Sequence, residues 1–191
     1  MQTDADQVVL VDLHDNPLGN QEKLSAHRQG RLHRAFSVLL RNCHGQLLLQ
    51  RRAPGKYHSG GLWSNTCCSH PRPGEDLLEA GRRRLGEEMG LDVALERAFS
   101  FIYRTEFADG LVEYEFDHVL IGQHDGDPDP DPAEAMDWRW ESPAVVEQQL
   151  HDAPDRFTAW FAPVLCHWLA GSRGHLGRMP VGVIEAPLVG R

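Results

Sequence analysis

Residues 75–91 read EDLLEAGRRRLGEEMGL, which is the pattern of an amphipathic helix with a defined start and end. Leu78, Leu85 and Met89 follow one another at spacings of seven and four residues, so they share one helix face. Acidic residues stand at the start, and Gly90 supplies a common stop signal. Three consecutive arginines and two consecutive glutamates place guanidinium and carboxylate groups on successive turns. The stretch therefore predicts a charged helix that ends at Met89.

Apolar and alternating runs predict a sheet on both sides of this helix in the sequence. In chain order the predicted strands are Val8–Val11, Ala35–Leu40, Gln46–Gln50, Ala98–Tyr103, Val112–Ile121 and Met136–Trp140. Asn42-Cys43-His44-Gly45 is a short connection of the kind that closes a hairpin between two strands.

Two further helices are predicted after the last strand. Ser142 followed by Pro143 gives an N-cap and a proline at the first helical position. Thr158–Leu169 then reads as a second helix, which Gly171 ends. The predicted helices flank the predicted sheet.

The length of the sequence favours a single globular domain, and its charge bears on possible partners. The 191 residues suffice for one domain with a core, and we expect an α/β (α+β) fold over residues 1–170, with a mixed β-sheet flanked by helices. Residues 171–191 are punctuated by Gly and Pro without periodicity, which predicts a loosely ordered tail. The net charge of −9 argues against binding to a nucleic-acid backbone, because such binding needs a basic surface.

The sequence carries no sign of export or of a membrane span. Residues 1–7 lack a basic start followed by an apolar run, and no later stretch is apolar for long enough to cross a bilayer. The four cysteines are Cys43, Cys67, Cys68 and Cys166. They form no Cys-x-x-Cys pair, which argues against a zinc knuckle and favours free thiols in a reducing compartment. We therefore expect a cytoplasmic protein, and separately we expect a monomer.

Two long connections interrupt the regular pattern. Lys56–Pro73 is rich in Gly, Ser, His and Pro and predicts an ordered loop with short extended pieces; long loops in compact domains are often functional. Asp125–Pro132 alternates Asp with Pro or Gly. Its prolines impose an extended backbone and its spacing is not that of an EF-hand, so a solvated connector is predicted there rather than a calcium loop.

The charged helix resembles a Nudix box. That family's pattern is Gly, five residues, Glu, seven residues, and then Arg-Glu-apolar-x-Glu-Glu-x-Gly-apolar, whose glutamates hold divalent cations against a diphosphate. Glu75, Arg83 and the 87–91 run fit this pattern, whereas Ser69 replaces the Gly and Arg84 replaces a Glu. A guanidinium removes a cation ligand and adds a phosphate-binding fork, which disfavours hydrolysis. Such a charge run is also typical of a solvated helix face.

A second motif gives a more specific resemblance. Trp63–Pro71 reads WSNTCCSHP and resembles the active-site segment of the isopentenyl diphosphate isomerases, in which Thr/Ser-Asn-x-x-Cys-x-His-Pro carries an essential cysteine. The match selects Cys68 and leaves Cys67 as a small core residue. Together with the Nudix box, the resemblance covers about residues 5–165 and implies a Nudix-type fold.

Histidines and glutamates make up a candidate metal site. Glu113 and Glu115 alternate along a predicted strand, so they share one face about 7 Å apart and both can reach one ion. They resemble the Glu-x-Glu of the isomerases, and His27, His33 and His70 match the three metal histidines of that family. Imidazole suits Zn²⁺, Mn²⁺ or Fe²⁺ better than Mg²⁺, so we expect a transition metal such as Mn²⁺ or Zn²⁺, although the family is known for Mg²⁺ dependence.

The resemblance also implies a diphosphate-binding set and further catalytic groups. The substrate-binding candidates are Lys23, Arg52, Lys56 and Arg84. Glu88 would hold a Mg²⁺ that arrives with the diphosphate of a small isoprenoid substrate. Cys68 and Glu115 would transfer protons, with Tyr103 assisting Glu115. The indole face of Trp160 would stabilise a developing carbocation.

The implied reaction is a 1,3-proton shift that interconverts isopentenyl and dimethylallyl diphosphate through a tertiary carbocation. Two alternatives share the fold. A Nudix pyrophosphohydrolase needs the full glutamate set, and both Arg84 and the Cys68-x-His70 motif argue against it. A non-enzymatic ligand sensor needs neither Cys68 nor Glu115. Turnover of isopentenyl diphosphate and release of phosphate discriminate among the three.

Overall fold

The computed structural model describes residues 7–172 and 183–185. The strands are β1 (Gln7–Val11), β2 (Pro17–Glu22), β3 (His33–Arg41), β4 (Leu47–Arg52), β5 (Trp63–Ser64), β6 (Cys67–Ser69), β7 (Glu96–Glu106), β8 (Val112–Gln123), β9 (Ala135–Glu141) and β10 (Val183–Glu185). The helices are α1 (Lys23–Gln29), α2 (Leu77–Met89), α3 (Pro143–Asp152) and α4 (Phe161–Ser172), with a 3₁₀ turn at Pro154–Arg156. Within the described ranges, none of the helices combines the length and apolarity needed to cross a membrane.

The strands form one mixed sheet in which β3 is central. The main path runs β10-β7-β8-β3-β1-β2, with β3 and β8 parallel over their whole paired length. On its other side β3 pairs antiparallel with β6 and β1. Strand β4 pairs with β3 only next to the hairpin, and along the rest of its length it pairs with β5 and β9. The expected mixed β-sheet flanked by helices is therefore confirmed.

The core lies on both faces of this sheet. Along β4, Leu47 and Leu49 pack into the apolar cluster that α3 and α4 cover, whereas Leu48 between them packs with Leu85 and Met89 of α2. Successive side chains of a strand point to opposite faces, so this alternation shows helices packed on both sides. The charged helix α2 is thereby fixed against the sheet by its apolar face.

Helix α2 confirms most of what the sequence predicted for it. It begins at Leu77, two residues later than the first acidic residue suggests, because the side chain of Asp76 caps it by accepting from the backbone N–H of Leu78 (2.8 Å). It ends before Gly90, which adopts φ +68°. The predicted 42–45 hairpin is also present, with the N–H of Asn42 donating to the carbonyl of Gln46.

Four elements differ from the sequence-based prediction. Strand β2 and helix α1 were not predicted, because Pro17–Glu22 is mostly exposed and polar and α1 has only seven residues. Helix α4 continues through Gly171 to Ser172. Within the predicted tail, β10 pairs parallel with β7, whereas residues 173–182 and 186–191 lie outside the described residues. The domain boundary at residue 170 stays a prediction.

The acidic connector at Asp125–Pro132 is irregular, as expected, but it also contacts α2. The backbone N–H of Asp129 donates to the carbonyl of Met89 (3.0 Å), and that of Asp131 donates to the carbonyl of Glu88 (3.1 Å). These bonds satisfy carbonyls at the helix end that have no partner inside the helix. The connector therefore supports the C-terminal turn of α2.

This close approach predicts an unequal effect of alanine at two glycines with positive φ. A Cβ at Gly90 would lie 2.5 Å from the carbonyl oxygen of Asp129, whereas a Cβ at Gly45, with φ +77°, meets no described atom within 4 Å. Gly45→Ala should lower the free energy of unfolding by about 1 kcal/mol through backbone strain. Gly90→Ala alone should lower it by a larger amount, because its Cβ also clashes with Asp129. Denaturant titration measures both, and equal losses would contradict the clash at Gly90.

Candidate active site

Three histidines and one glutamate from four parts of the chain converge at one point. His27 lies in the last turn of α1, His33 begins β3, His70 follows β6, and Glu115 lies on β8 opposite His33 in the β3–β8 register. The Nε2 atoms of His27 and His33 are 3.2 Å apart, as are those of His33 and His70. Oε1 of Glu115 lies 2.9 Å from Nε2 of His70 and 3.4 Å from Nε2 of His33. All four ligand atoms lie within 4.8 Å of one another.

The tautomer and charge of these imidazoles suit metal ligation. Nδ1 of His33 lies 2.8 Å from the carbonyl of Arg31, which can only accept, so Nε2 of His33 carries the lone pair. Burial and the neighbouring imidazoles lower the pKa of His27 to about 2. Burial and the Lys23 ammonium lower the pKa of His70 to about 4. The rings of His27 and His70 are therefore neutral near pH 7, the form that binds a cation.

The spacing of these atoms fits a divalent cation. With metal–ligand bonds of about 2.1 Å, neighbouring ligand atoms of a coordination polyhedron lie about 3 Å apart. The contacts of 2.9–3.4 Å among the four ligand atoms match that spacing. A cation at their centre would also relieve the close approach of ring nitrogens that cannot all donate to one another. The donor set thus fits a divalent metal ion.

Glu113 lies outside this group of four. Its Oε2 accepts from the hydroxyl of Tyr103 (3.0 Å), and its Oε1 lies 2.8 Å from Nε2 of His58. The same hydroxyl contacts Oε2 of Glu115 at 2.6 Å. Burial and the two carboxylates raise the pKa of Tyr103 well above its ordinary value, so Tyr103 keeps its proton. Burial opposes ionisation of Glu115, but its close contacts with the His33 and His70 rings hold the pKa of its carboxyl well below the usual range.

The two adjacent cysteines occupy different environments on β6. The Sγ atom of Cys68 lies 3.0 Å from Oδ1 of Asn65 and 3.1 Å from Nε1 of Trp160. Burial and the Asp117 carboxylate raise the pKa of Cys68 to about 12, so its thiol is protonated at neutral pH. Cys67 is fully buried in the apolar cluster that α2 covers. Burial raises the pKa of Cys67 well above its ordinary value.

Two adjoining cavities meet beside these groups. The lining of the first, the inner cavity of about 70 Å³, includes Cys68, Tyr103, Glu113, Glu115 and Trp160. The second, the outer cavity of about 220 Å³, has a lining that includes the basic residues Lys23, Lys56, Arg72, Arg83 and Arg84. Both linings contain Lys23, Lys56, Ser69, His70 and Arg84. The boundary between the cavities is therefore cationic.

The cations at this boundary have internal partners. Arg84 donates to Glu87 and Glu88, each at 2.6 Å, and lies 3.4 Å from Glu134. Lys56 also pairs with Glu134. Burial opposes the charge of Arg84, but Glu88 and its neighbours raise the pKa of the guanidinium above its ordinary value.

Lys23 and Arg52 complete the basic set. The Nζ atom of Lys23 lies 5.0 Å from the ring centre of Tyr57, and burial lowers the pKa of its ammonium. Arg52 is buried in the lining of the inner cavity, with its guanidinium carbon 5.3 Å from the ring centre of Trp160. All four basic residues selected from the sequence thus line the inner cavity.

Sequence reasoning missed two buried polar residues beside the site. Asp117 continues the Glu113, Glu115 alternation on β8 and accepts from the hydroxyl of Ser37 (2.7 Å). Burial and the Glu115 carboxylate raise its pKa well above the ordinary value. Extending the alternation by one step would have found Asp117. His58 lies in an irregular Gly/Ser-rich loop, where no periodic signal points to it.

The neutral imidazoles predict that the metal-free protein loses stability in mild acid. Unfolded histidine binds a proton near pH 6.5, whereas the folded pKa values of His27 and His70 are about 2 and about 4. Between those values and pH 6.5 the unfolded state binds more protons, so the free energy of unfolding falls as the pH falls. From pH 6.5 to 5 we expect a loss of about 2 kcal/mol for each of the two.

Denaturant titrations of chelator-treated protein at these two pH values measure that loss. His70→Gln removes one of the two groups and should reduce the pH dependence. If unmutated protein and His70→Gln lose the same stability, His70 is not a buried neutral imidazole.

Comparison with known proteins shows the relationships of the chain. Residues 31–161 match the NUDIX domain. The isopentenyl-diphosphate Delta-isomerase 2 of Aromatoleum aromaticum strain EbN1 is 55% identical over 160 residues, covering 84% of this chain and 85% of the relative. The isopentenyl-diphosphate Delta-isomerase of Burkholderia multivorans is 48% identical over 171 residues, covering 85% of this chain and 97% of the relative.

Solved structures support the fold. DR0079 from Deinococcus radiodurans superimposes with a TM-score of 0.72 at 21% identity, covering 84% of this chain and 98% of that one. The MutT protein from Methanosarcina mazei Go1 gives 0.60 at 19% identity, covering 74% and 96%. At these identities the structures show the fold alone. The sequence identities show more: the chain belongs to the NUDIX superfamily and, within it, to the isopentenyl-diphosphate Delta-isomerase family.

Proposed function

We propose that this chain interconverts isopentenyl diphosphate and dimethylallyl diphosphate by a 1,3-proton shift in the inner cavity. The observation that carries the proposal is the joint lining of that cavity by the Cys68 thiol and the Glu115 carboxylate, next to a cationic boundary. Proton transfer to and from carbon needs one group that holds a proton and one that accepts it. Cys68 is protonated and Glu115 is ionised, so the pair supplies both.

The diphosphate would lie at the boundary between the two cavities. Lys23, Lys56 and Arg84 line both, and a guanidinium can bind phosphate oxygens through two parallel hydrogen bonds. Arg52 lines the inner cavity and would add a fourth positive charge. Glu88 lines it as well, and would hold the Mg²⁺ that accompanies the diphosphate. This arrangement directs the hydrocarbon towards Cys68.

The proton balance follows from the substrate. Protonation of the terminal methylene carbon gives a tertiary carbocation. Loss of a proton from the methylene group between the cationic carbon and the carbon that bears the diphosphate then gives the isomeric alkene. Cys68 and Glu115 together deliver one proton and take up the other. The hydroxyl of Tyr103 lies 2.6 Å from Glu115 and donates a hydrogen bond that keeps that carboxylate in place.

Trp160 is oriented to stabilise the cation. Its Nε1 donates to Ser64 and to Sγ of Cys68, both at 3.1 Å, which fixes the plane of the ring beside the thiol. The guanidinium of Arg52 already lies within cation–π range of the ring. A carbocation formed next to Cys68 would meet the same electron-rich indole. Trp160 and Tyr103 are buried, which would limit the access of water that could trap the cation.

The metal would be held by His27, His33, His70 and Glu115, with Glu113 as a fifth ligand. Glu113 shares the Tyr103 hydroxyl with Glu115, which keeps the two carboxylates adjacent. The nitrogen-rich donor set favours Mn²⁺ or Zn²⁺ over Mg²⁺. When bound, such an ion would fix the orientation of Glu115 and balance its charge. The monomeric state and cytoplasmic location expected from composition stay predictions.

Turnover of purified protein with isopentenyl diphosphate and Mg²⁺, followed by NMR identification of the product, tests the proposal. Cys68→Ala should remove nearly all activity because its thiol lines the inner cavity. The matched control, Cys67→Ala, should retain most activity because the Cys67 thiol is packed in the apolar core and does not line the cavity. Equal losses in the two variants would sink the role given to Cys68.

Arg84 provides the sharpest distinction from a hydrolase. The position carries Glu in the Nudix box, and here its guanidinium lines both cavities. Arg84→Glu replaces attraction of the diphosphate by repulsion and should raise KM for isopentenyl diphosphate at least about tenfold. Arg84→Lys should be intermediate, since it keeps the charge but loses the fork.

Steady-state kinetics of both Arg84 variants, with phosphate release measured alongside, check this expectation. An unchanged KM in Arg84→Glu would remove Arg84 from the diphosphate site. Phosphate release by the unmutated protein as fast as isomerisation would indicate a pyrophosphohydrolase instead.

A further inference from the structure

Four buried polar side chains form a continuous chain along one wall of the inner cavity. Nε2 of His58 lies 2.8 Å from Oε1 of Glu113, Oε2 of Glu113 lies 3.0 Å from the Tyr103 hydroxyl, and that hydroxyl lies 2.6 Å from Oε2 of Glu115. All four residues line the cavity and each is less than a tenth exposed. This series of contacts therefore connects His58 to a carboxylate that takes part in the proposed proton transfer.

The number of protons shared by these four side chains gives His58 a role. The Tyr103 hydroxyl has one proton and two carboxylates within reach, so it can donate fully to only one of them. The carboxylate without that proton needs another donor, because a buried charge without a partner is costly. His58 can supply one, because its Nε2 lies 2.8 Å from Oε1 of Glu113 and makes no aligned hydrogen bond to any described residue, so its N–H is not engaged elsewhere. With Glu113 held by His58, the Tyr103 proton is free for Glu115.

The ring of His58 is fixed by its surroundings. It stacks on Phe107 with ring centres 4.5 Å apart and planes inclined by 18°, and it meets Trp160 edge-on at 5.8 Å. Its Nδ1 lies 3.2 Å from the hydroxyl of Ser59. Its backbone carbonyl accepts from the guanidinium of Arg52 at 3.5 Å. These contacts leave the ring little freedom to turn away from Glu113.

We infer that His58 is a positioning residue for the isomerisation, which holds Glu113 so that the single proton of Tyr103 is directed to Glu115. The inference rests on the proposed function. Among the described contacts, His58 makes no hydrogen bond or ion pair with the four metal-binding candidates, and its ring meets that of His27 edge-on with centres 6.4 Å apart. It acts through Glu113 and Tyr103, in the way that groups behind a ligand set its orientation.

Two substitutions separate this role from packing. His58→Phe keeps the stacking on Phe107 and removes Nε2, whereas His58→Gln keeps an N–H donor of similar reach. We expect His58→Phe to lower kcat about 10- to 100-fold, with KM for isopentenyl diphosphate within about twofold. His58→Gln should recover a substantial part of the loss. Thermal unfolding of both variants should stay close to that of the unmutated enzyme. Their metal content should also stay close to it, because His27, His33, His70 and Glu115 still offer four ligand atoms when Glu113 moves.

A double-mutant cycle tests whether the effect passes through Tyr103. In a Tyr103→Phe background no hydroxyl proton remains to be directed, so adding His58→Phe should have little further effect on kcat. Crystal structures give a readout that does not depend on activity. In His58→Phe the Glu113 carboxylate should leave its position beside Tyr103, and in His58→Gln it should stay there.

Several results would overturn the inference. An unchanged kcat in His58→Phe would reduce His58 to packing, and a rise in KM alone would make it a substrate contact. Full additivity with Tyr103→Phe, or loss of metal in His58→Phe, would place its action elsewhere. If the unmutated protein fails to convert isopentenyl diphosphate, both the proposed function and this inference are wrong. If it converts the substrate and His58→Phe does so equally well, the inference alone fails.

Discussion

The parallel pairing of β3 with β8 is the constraint on which the site depends. It sets His33 opposite Glu115, and the antiparallel pairing of β3 with β6 sets Ser37 opposite Cys68. A shift of either register by one residue would turn the polar side chains into the core, because successive residues of a strand face opposite sides. Apolar packing of β3 and β4 against helices on both faces makes such a shift costly.

Burial then gives these side chains their chemistry. In water the side chains of a histidine, a cysteine and a glutamate have pKa values close to their ordinary ones. Here burial keeps the imidazoles of His27 and His70 neutral and the Cys68 thiol protonated, while partners keep Glu115 ionised. An acidic chain with a net charge of −9 thus holds a local set of cations beside a few controlled anions. Overall charge says little about such a site, because short-range pairing dominates within it.

Sequence reasoning identified those residues of the candidate site that lie on strong local patterns. Alternation placed Glu113 and Glu115 on one face of β8, and helical periodicity defined the extent of α2 around Arg84. Family resemblance supplied His27, whose helix α1 is too short to show periodicity and lies between polar stretches. What could not be predicted is how distant segments contact each other. The partner of Glu113 is His58, from a loop without a pattern, and only tertiary packing brings them together.

Glu134 illustrates a further effect of the arrangement. Its carboxylate pairs with Lys56 and approaches Arg84, so these cations are already compensated when a ligand arrives. An incoming anion has to compete with that carboxylate for the same donors. A metabolite with one negative charge offers the two cations no more than Glu134 does, whereas a diphosphate offers several charges and more acceptor oxygens. If Lys56 and Arg84 bind the diphosphate as proposed, the internal carboxylate would raise selectivity against abundant monoanions, since a ligand would have to outcompete a group that the site already contains.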